Sequence, residues 1–311
     1  MAGPHDPVPP LQLPDSTGAQ SDRVIGAGVE AIVKTLEQIE ADASQREPLR
    51  DHDGLACFDY LYTIITRNVL RCVTGTALVT EDPRFHDREF MAVFDIAFAN
   101  RYLDAIGLGK QQSWQPKCWK VLLDHREASY ISPLIFAVAG VNAHVNFDLP
   151  FALVTACAEM GREVDSGANH EDYELINQIF AEHMQELRQH FENRFAKGFD
   201  KAFVSKVENM VGNLVVVVAR DLAWRRAKQL WRVHDDEAKM TKLAKSRDRW
   251  VALASWGLFE LDHMPSMVFR AMYVVPGPTR RVAARGLART GWDAKRQNAP
   301  SAHPKPPPLG R

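Results

Sequence analysis

At 311 residues, with 46% hydrophobic and 25% charged residues and a net charge of −1, the chain has the composition of an ordinary globular protein able to bury a large core. There is no domain-wide basic excess, which argues against nucleic-acid binding as its role. Residues 276–311 nevertheless hold eight Lys/Arg against one acid, Asp293, a local +7 that leaves −8 for residues 1–275. Cys57, Cys72, Cys118 and Cys157 are scattered, with no Cys-x-x-Cys, so a zinc ribbon is excluded and reduced thiols in a cytosolic protein are expected.

The opening stretch "MAGPHDPVPPLQLPDSTGAQ" has neither a basic n-region nor an apolar run, so it reads as a Pro-rich disordered lead over 1–21 rather than a secretory signal. Beyond it the pattern turns helical. "SDRVIGAGVEAIVKTLEQIEADA" opens on a Ser cap and repeats apolar residues at three and four. Further helices are expected near 55–73, 87–108, 116–127, 132–160, 170–192, 198–233 and 235–260, with a loop over 74–85. "LVVVVA" (214–219) is strand-like in composition, but both flanks run at helical period and make it buried helix. The expected fold is all-α: one multi-helix, bundle-like domain over 22–275, with Pro-rich disordered tails at 1–21 and 276–311.

The apolar run 131–160 carries the most informative segment, "AGVNAHVNFDLPFAL". It is long enough to cross a bilayer, but an ionisable His and Asp near its middle make a buried helix of a bundle the better reading. His144 and Asp148 are four apart and share a face, with Asn142 and Asn146 beside them. Pro150 has no N–H for the carbonyl of Asn146. Burying such groups unpaired costs about 1–3 kcal/mol each, so each needs a partner. Two outcomes satisfy that need: a hydrogen-bond network between helices, or a cavity whose polar floor holds acid–base residues or metal ligands.

Other segments offer residues for the same cavity. In "FMAVFDIAFANRYLDAIG" Asp95 interrupts an apolar helix, and Tyr102 aligns with it seven residues on. Asp172 in "HEDYELINQIF" is either a first-turn acid serving the helix dipole or a further ligand. Arg220 and Trp224 follow the apolar 214–219 stretch at i, i+4, where Arg220 could clamp an anion or pair with Asp95 or Asp148. Asp59 is a weaker candidate of the same type, and Trp114 and Trp119 read as packing residues. The stripe His183, Glu186, His190 sits among polar neighbours and reads as a solvated face.

"NAHVNFDLPFAL", preceded by "FDIAFANRYLDAI" and followed by "DYELINQIF", resembles a bacterial and fungal family known only as a domain of unknown function. The resemblance spans most of 55–260 and implies a helical domain but no chemistry. A helical His-x-x-x-Asp followed by Pro is also similar to the zinc-dependent phospholipase C and S1-type nuclease group, where such residues bind zinc. Those enzymes use an N-terminal Trp and several further His at set spacings, and this chain has no matching set.

Three functions fit these residues. The first is an enzyme acting on a small, largely apolar molecule through His144, Asp148 and Asp95, with Asn142, Asn146, Tyr102, Arg220 and Trp224 binding substrate. If a divalent metal (zinc, manganese or iron) is held by His144, Asp148, Asp95 and Asp172, the reaction is hydrolysis by metal-activated water. The second is a metal-free lyase, isomerase or cyclase of specialised metabolism, with His and Asp moving protons. The third is a carrier of hydrophobic ligands. The basic segment 279–296 would attach an otherwise cytoplasmic protein peripherally to anionic membrane.

Overall fold

The computed structural model describes residues 18–45, 53–74, 85–109, 115–131, 133–177 and 214–260. All regular structure among them is helical. Residues 1–17, the C-terminal tail with its basic segment 279–296, and the stripe at 183–190 lie outside the described residues, while 18–21 of the expected disordered lead are helix.

The three-and-four spacing read in the first segment gives α1 (Gly18–Ser44), which starts three residues before the expected Ser and buries Val29, Ile32, Val33, Leu36, Ile39 and Ala43. Asp53 begins α2 (Gly54–Thr74): its Oδ1 accepts from the N–H groups of Leu55 (2.9 Å) and Ala56 (3.3 Å), and Arg126 grips the same carboxylate. In α3 (Arg88–Ala105) Asp87 caps Phe90 N–H at 2.9 Å. Helix α4 (Lys117–His125) follows Pro116, which offers no capping side chain. Its N-terminus is capped instead from a distant helix, by Asp248 Oδ1 on the Cys118 N–H at 2.9 Å. Such caps satisfy N–H groups that a helix start leaves without partners.

The apolar run forms one long rod. It consists of α5 (Pro133–Ala143), a π-helical turn (His144–Asp148) and α6 (Leu149–Glu159). Phe136, Ala139, Phe147, Ala152 and Cys157 are buried along it, as expected of a helix apolar on every side. A helical segment over 169–177 follows, then α7 (Leu214–Trp231) and α8 (Glu237–Glu260). The strand-like 214–219 patch is therefore helix. The rod is central: α2 packs on α5, α3 and α7 on α6, and α8 on α5, while α1 covers α2 and α3. Contact between α2 and α5 requires glycine. A Cβ on Gly140 would lie 2.3 Å from Phe58 Cδ2.

Among the described residues, no helix is long and apolar enough to cross a membrane.

Candidate functional site

Pro150 explains why the rod changes register at His144. Lacking an N–H, it leaves a carbonyl one turn back without a donor in either the α or the π register. The ladder therefore loses little by admitting an extra residue just before it. Leu149 N–H reaches back five residues to the His144 carbonyl, the bond that defines a π turn.

That turn sets the two polar side chains against each other. His144 Nδ1 lies 3.1 Å from Asp148 Oδ2, the oxygen that also accepts from Trp119 Nε1–H at 2.8 Å. Arg101 Nε stands 3.5 Å from the other oxygen, Oδ1, without making a hydrogen bond to it. Asp148 is thus an acceptor surrounded by donors. Nδ1 carries the imidazole proton toward it, and Nε2 is left as a lone pair. Nε2 is buried and has no hydrogen-bond partner. Phe98 stacks flat on the ring, with centroids 3.5 Å apart and planes within 9°, and Tyr62 meets it edge-on at 4.5 Å. Burial holds the imidazole below its ordinary pKa despite the bond to Asp148, so it is neutral near neutral pH.

His144 lines a cavity of about 50 Å³ whose wall is mostly apolar. Asp95 stands in that wall, its Oδ2 buried without a partner. Burial raises its carboxyl to about 7. Arg220 also lines the cavity. Three residues read from sequence as site candidates, on the rod, α3 and α7, are therefore brought to one cavity.

Other candidates are used elsewhere. Asn142 and Asn146, expected to bind substrate, are absent from the cavity lining. Asn142 Nδ2 donates to the Val251 carbonyl (3.1 Å) and Ser255 Oγ (2.9 Å) of α8. Asn146 donates to Asn142 Oδ1 (3.0 Å) and accepts from Arg226 of α7 (3.2 Å). Two residues along a helix from His144 is about half a turn, so the amides face the neighbouring helices and tie them together. Tyr102 does not line the cavity either; its hydroxyl donates to Asp59 Oδ1 at 2.8 Å, and burial keeps the Asp59 carboxyl well above the carboxylate range. Trp224 packs on His170 and Tyr173. Arg220 is bound to the Tyr173 carbonyl (3.0 Å) rather than to Asp95 or Asp148.

Asp172 is fully buried but turned to a different task. It accepts from the N–H groups of His86 and Asp87, each at 2.8 Å, just ahead of α3. Among the described residues, no three His, Cys, Asp or Glu side chains form a group able to hold a metal ion. The ligand set His144, Asp148, Asp95, Asp172 is not assembled.

Trp119, Arg101, Phe98 and Tyr62 complete the site and were not read as site residues. Arg101 and Trp119 offered one signal, a lone cation and an indole N–H on apolar helix faces, but which carboxylate they would meet depends on packing between helices.

No curated protein and no solved structure matches the chain. The helical domain that carries this site is matched over residues 29–261 by the model of a family of unknown function (DUF5995), and the chain belongs to that family.

Proposed function

We propose that the protein is an enzyme that moves protons on a small, largely apolar molecule, with His144 as general base, Asp148 as its positioning residue and Asp95 as the second acid–base group. One observation carries this reading: a buried imidazole whose Nδ1 is fixed by a carboxylate and whose Nε2 lone pair, on the cavity wall, has no partner. A network serving stability alone would satisfy that nitrogen, as the Asn142–Asn146 network does its own groups. Proton transfer of the isomerase, lyase or cyclase kind needs only such a base and a poised acid, and Asp95 near 7 suits the second role. Metal-assisted hydrolysis draws less support, because the described donors do not form a ligand set.

The test is exchange of carbon-bound protons. Small apolar ketones and unsaturated acids are incubated with the protein in D2O, and deuterium incorporation is followed by NMR. Wild type is expected to label at least one class. His144→Gln, shown folded by circular dichroism, should lose about 100-fold or more of the rate. Binding without exchange in wild type would favour a carrier. A stoichiometric metal in the purified protein that His144→Gln loses would restore the hydrolytic reading.

A further inference from the structure

Among the described residues, Arg220 is a buried cation without an anion. It is 3% exposed and lines the same cavity as His144 and Asp95. One terminal nitrogen donates to the Tyr173 carbonyl at 3.0 Å, the guanidinium carbon lies 4.2 Å from the Tyr173 ring centroid, and Nε has no acceptor. Among the described residues no carboxylate pairs with it. A guanidinium does not deprotonate, and an uncompensated buried charge is unfavourable. Asp95 stands in the same wall but forms no ion pair with it, and burial raises that carboxyl to about 7.

We propose that Arg220 receives the anionic group of the ligand, which is a small apolar molecule carrying a single carboxylate. This rests on the cavity being the active site. The planar guanidinium matches a carboxylate in shape, and one negative charge neutralises it where a phosphate dianion would overshoot. Phe58, Phe94 and Phe98 take the hydrocarbon part. The cavity, at about 50 Å³, admits a compact head rather than a bulky one.

Calorimetry with hexanoate and hexan-1-ol, matched in chain and differing in charge, tests this without altering the protein. Hexanoate is expected to bind about tenfold to a hundredfold tighter. Arg220→Gln should erase the difference and Arg220→Lys restore part of it. Because Arg220 also ties α7 to the 169–177 helix, the wild-type comparison decides if the variants unfold. Equal affinities in wild type overturn the role of Arg220 while leaving the cavity as an apolar binding site. Binding of neither probe overturns both.

A second observation is independent of the cavity. On α8, Trp250, Leu253, Trp256 and Leu243 are 68%, 54%, 50% and 42% exposed, opposite the buried face of Val251, Ser255 and Leu258. Lys242, Lys245 and Arg249 are exposed on the same outward face, and the one acid between 238 and 259, Asp248, is buried as the cap of α4. Tryptophan among basic residues, with no exposed acid, complements an anionic bilayer surface. We infer that α8 lies on anionic membrane. The full chain should co-sediment with phosphatidylcholine/phosphatidylglycerol vesicles and not with phosphatidylcholine alone. Doubly substituted Trp250→Glu/Trp256→Glu should be recovered far less. Equal recovery of both proteins overturns the role of α8, even if the basic segment 279–296 binds. A dimer in light scattering that the substitutions dissociate would assign the face to a second copy instead.

Discussion

A carboxyl buried without a partner costs stability, and Asp95 makes that cost measurable. Its folded-state value of about 7 lies above the ordinary 3.8, so the folded protein keeps a proton that the unfolded chain releases. Between those values stability falls as pH rises, and above about 7 the loss is complete. Asp95→Asn cannot ionise. It is expected to stabilise the fold at about pH 8 by as much as roughly 4 kcal/mol, with a smaller gain at about pH 5. Urea denaturation at the two pH values measures this. An identical gain at both would show that Asp95 is not a buried protonated acid. Stability gained together with catalysis lost is the behaviour of a residue kept for its chemistry.

At the scale of elements, side chains from one helix complete another. Asp248 is the clearest case: it belongs to α8 but caps α4, whose own N-cap position is Pro116. Asp248→Ala should destabilise the protein by about 1–2 kcal/mol, a cap's worth, with thermal melting as the measure. Since it touches no group lining the cavity, it should leave ligand binding unchanged. A loss of binding larger than the loss of stability would mean that α4, which carries Trp119, is positioned through this cap. The π turn shows the reverse dependence, a local chain feature that sets tertiary geometry. Pro150 relaxes the ladder, and the turn brings His144 within 3.1 Å of Asp148.

For the whole molecule, Asp148 is the junction. Its carboxylate meets Trp119 of α4, Arg101 of α3 and His144 of the rod. Removing it strands an indole N–H, leaves a guanidinium without its counter-charge and frees the imidazole, so Asp148→Ala should cost about 3–5 kcal/mol. Asp148→Asn retains an acceptor for one partner and should cost less while still changing the imidazole tautomer. Chemical denaturation of the pair, read beside proton exchange, separates the structural share from the catalytic one. Equal destabilisation by both would mean that charge, not hydrogen bonding, holds the junction.

Much of the fold was legible because helix formation is local. Apolar residues at three and four marked α1, and the flanking periodicity assigned the β-branched 214–219 stretch to α7. The pairing of His144 with Asp148 also follows from residues close in the chain. What spacing within one helix does not determine is the partner across the interface. Asn142 and Asn146 looked like cavity residues, yet they bind α8 and α7 because those helices pack against that side of the rod. Asp95, Asp172 and Asp148 stood together in the sequence as candidate ligands. Packing made the first an unpaired acid in a cavity wall, the second an acceptor for the chain ahead of α3, and the third the junction of three elements. The chemistry of a carboxyl group is decided by the donors around it, and here most of them arrive from helices far away in sequence.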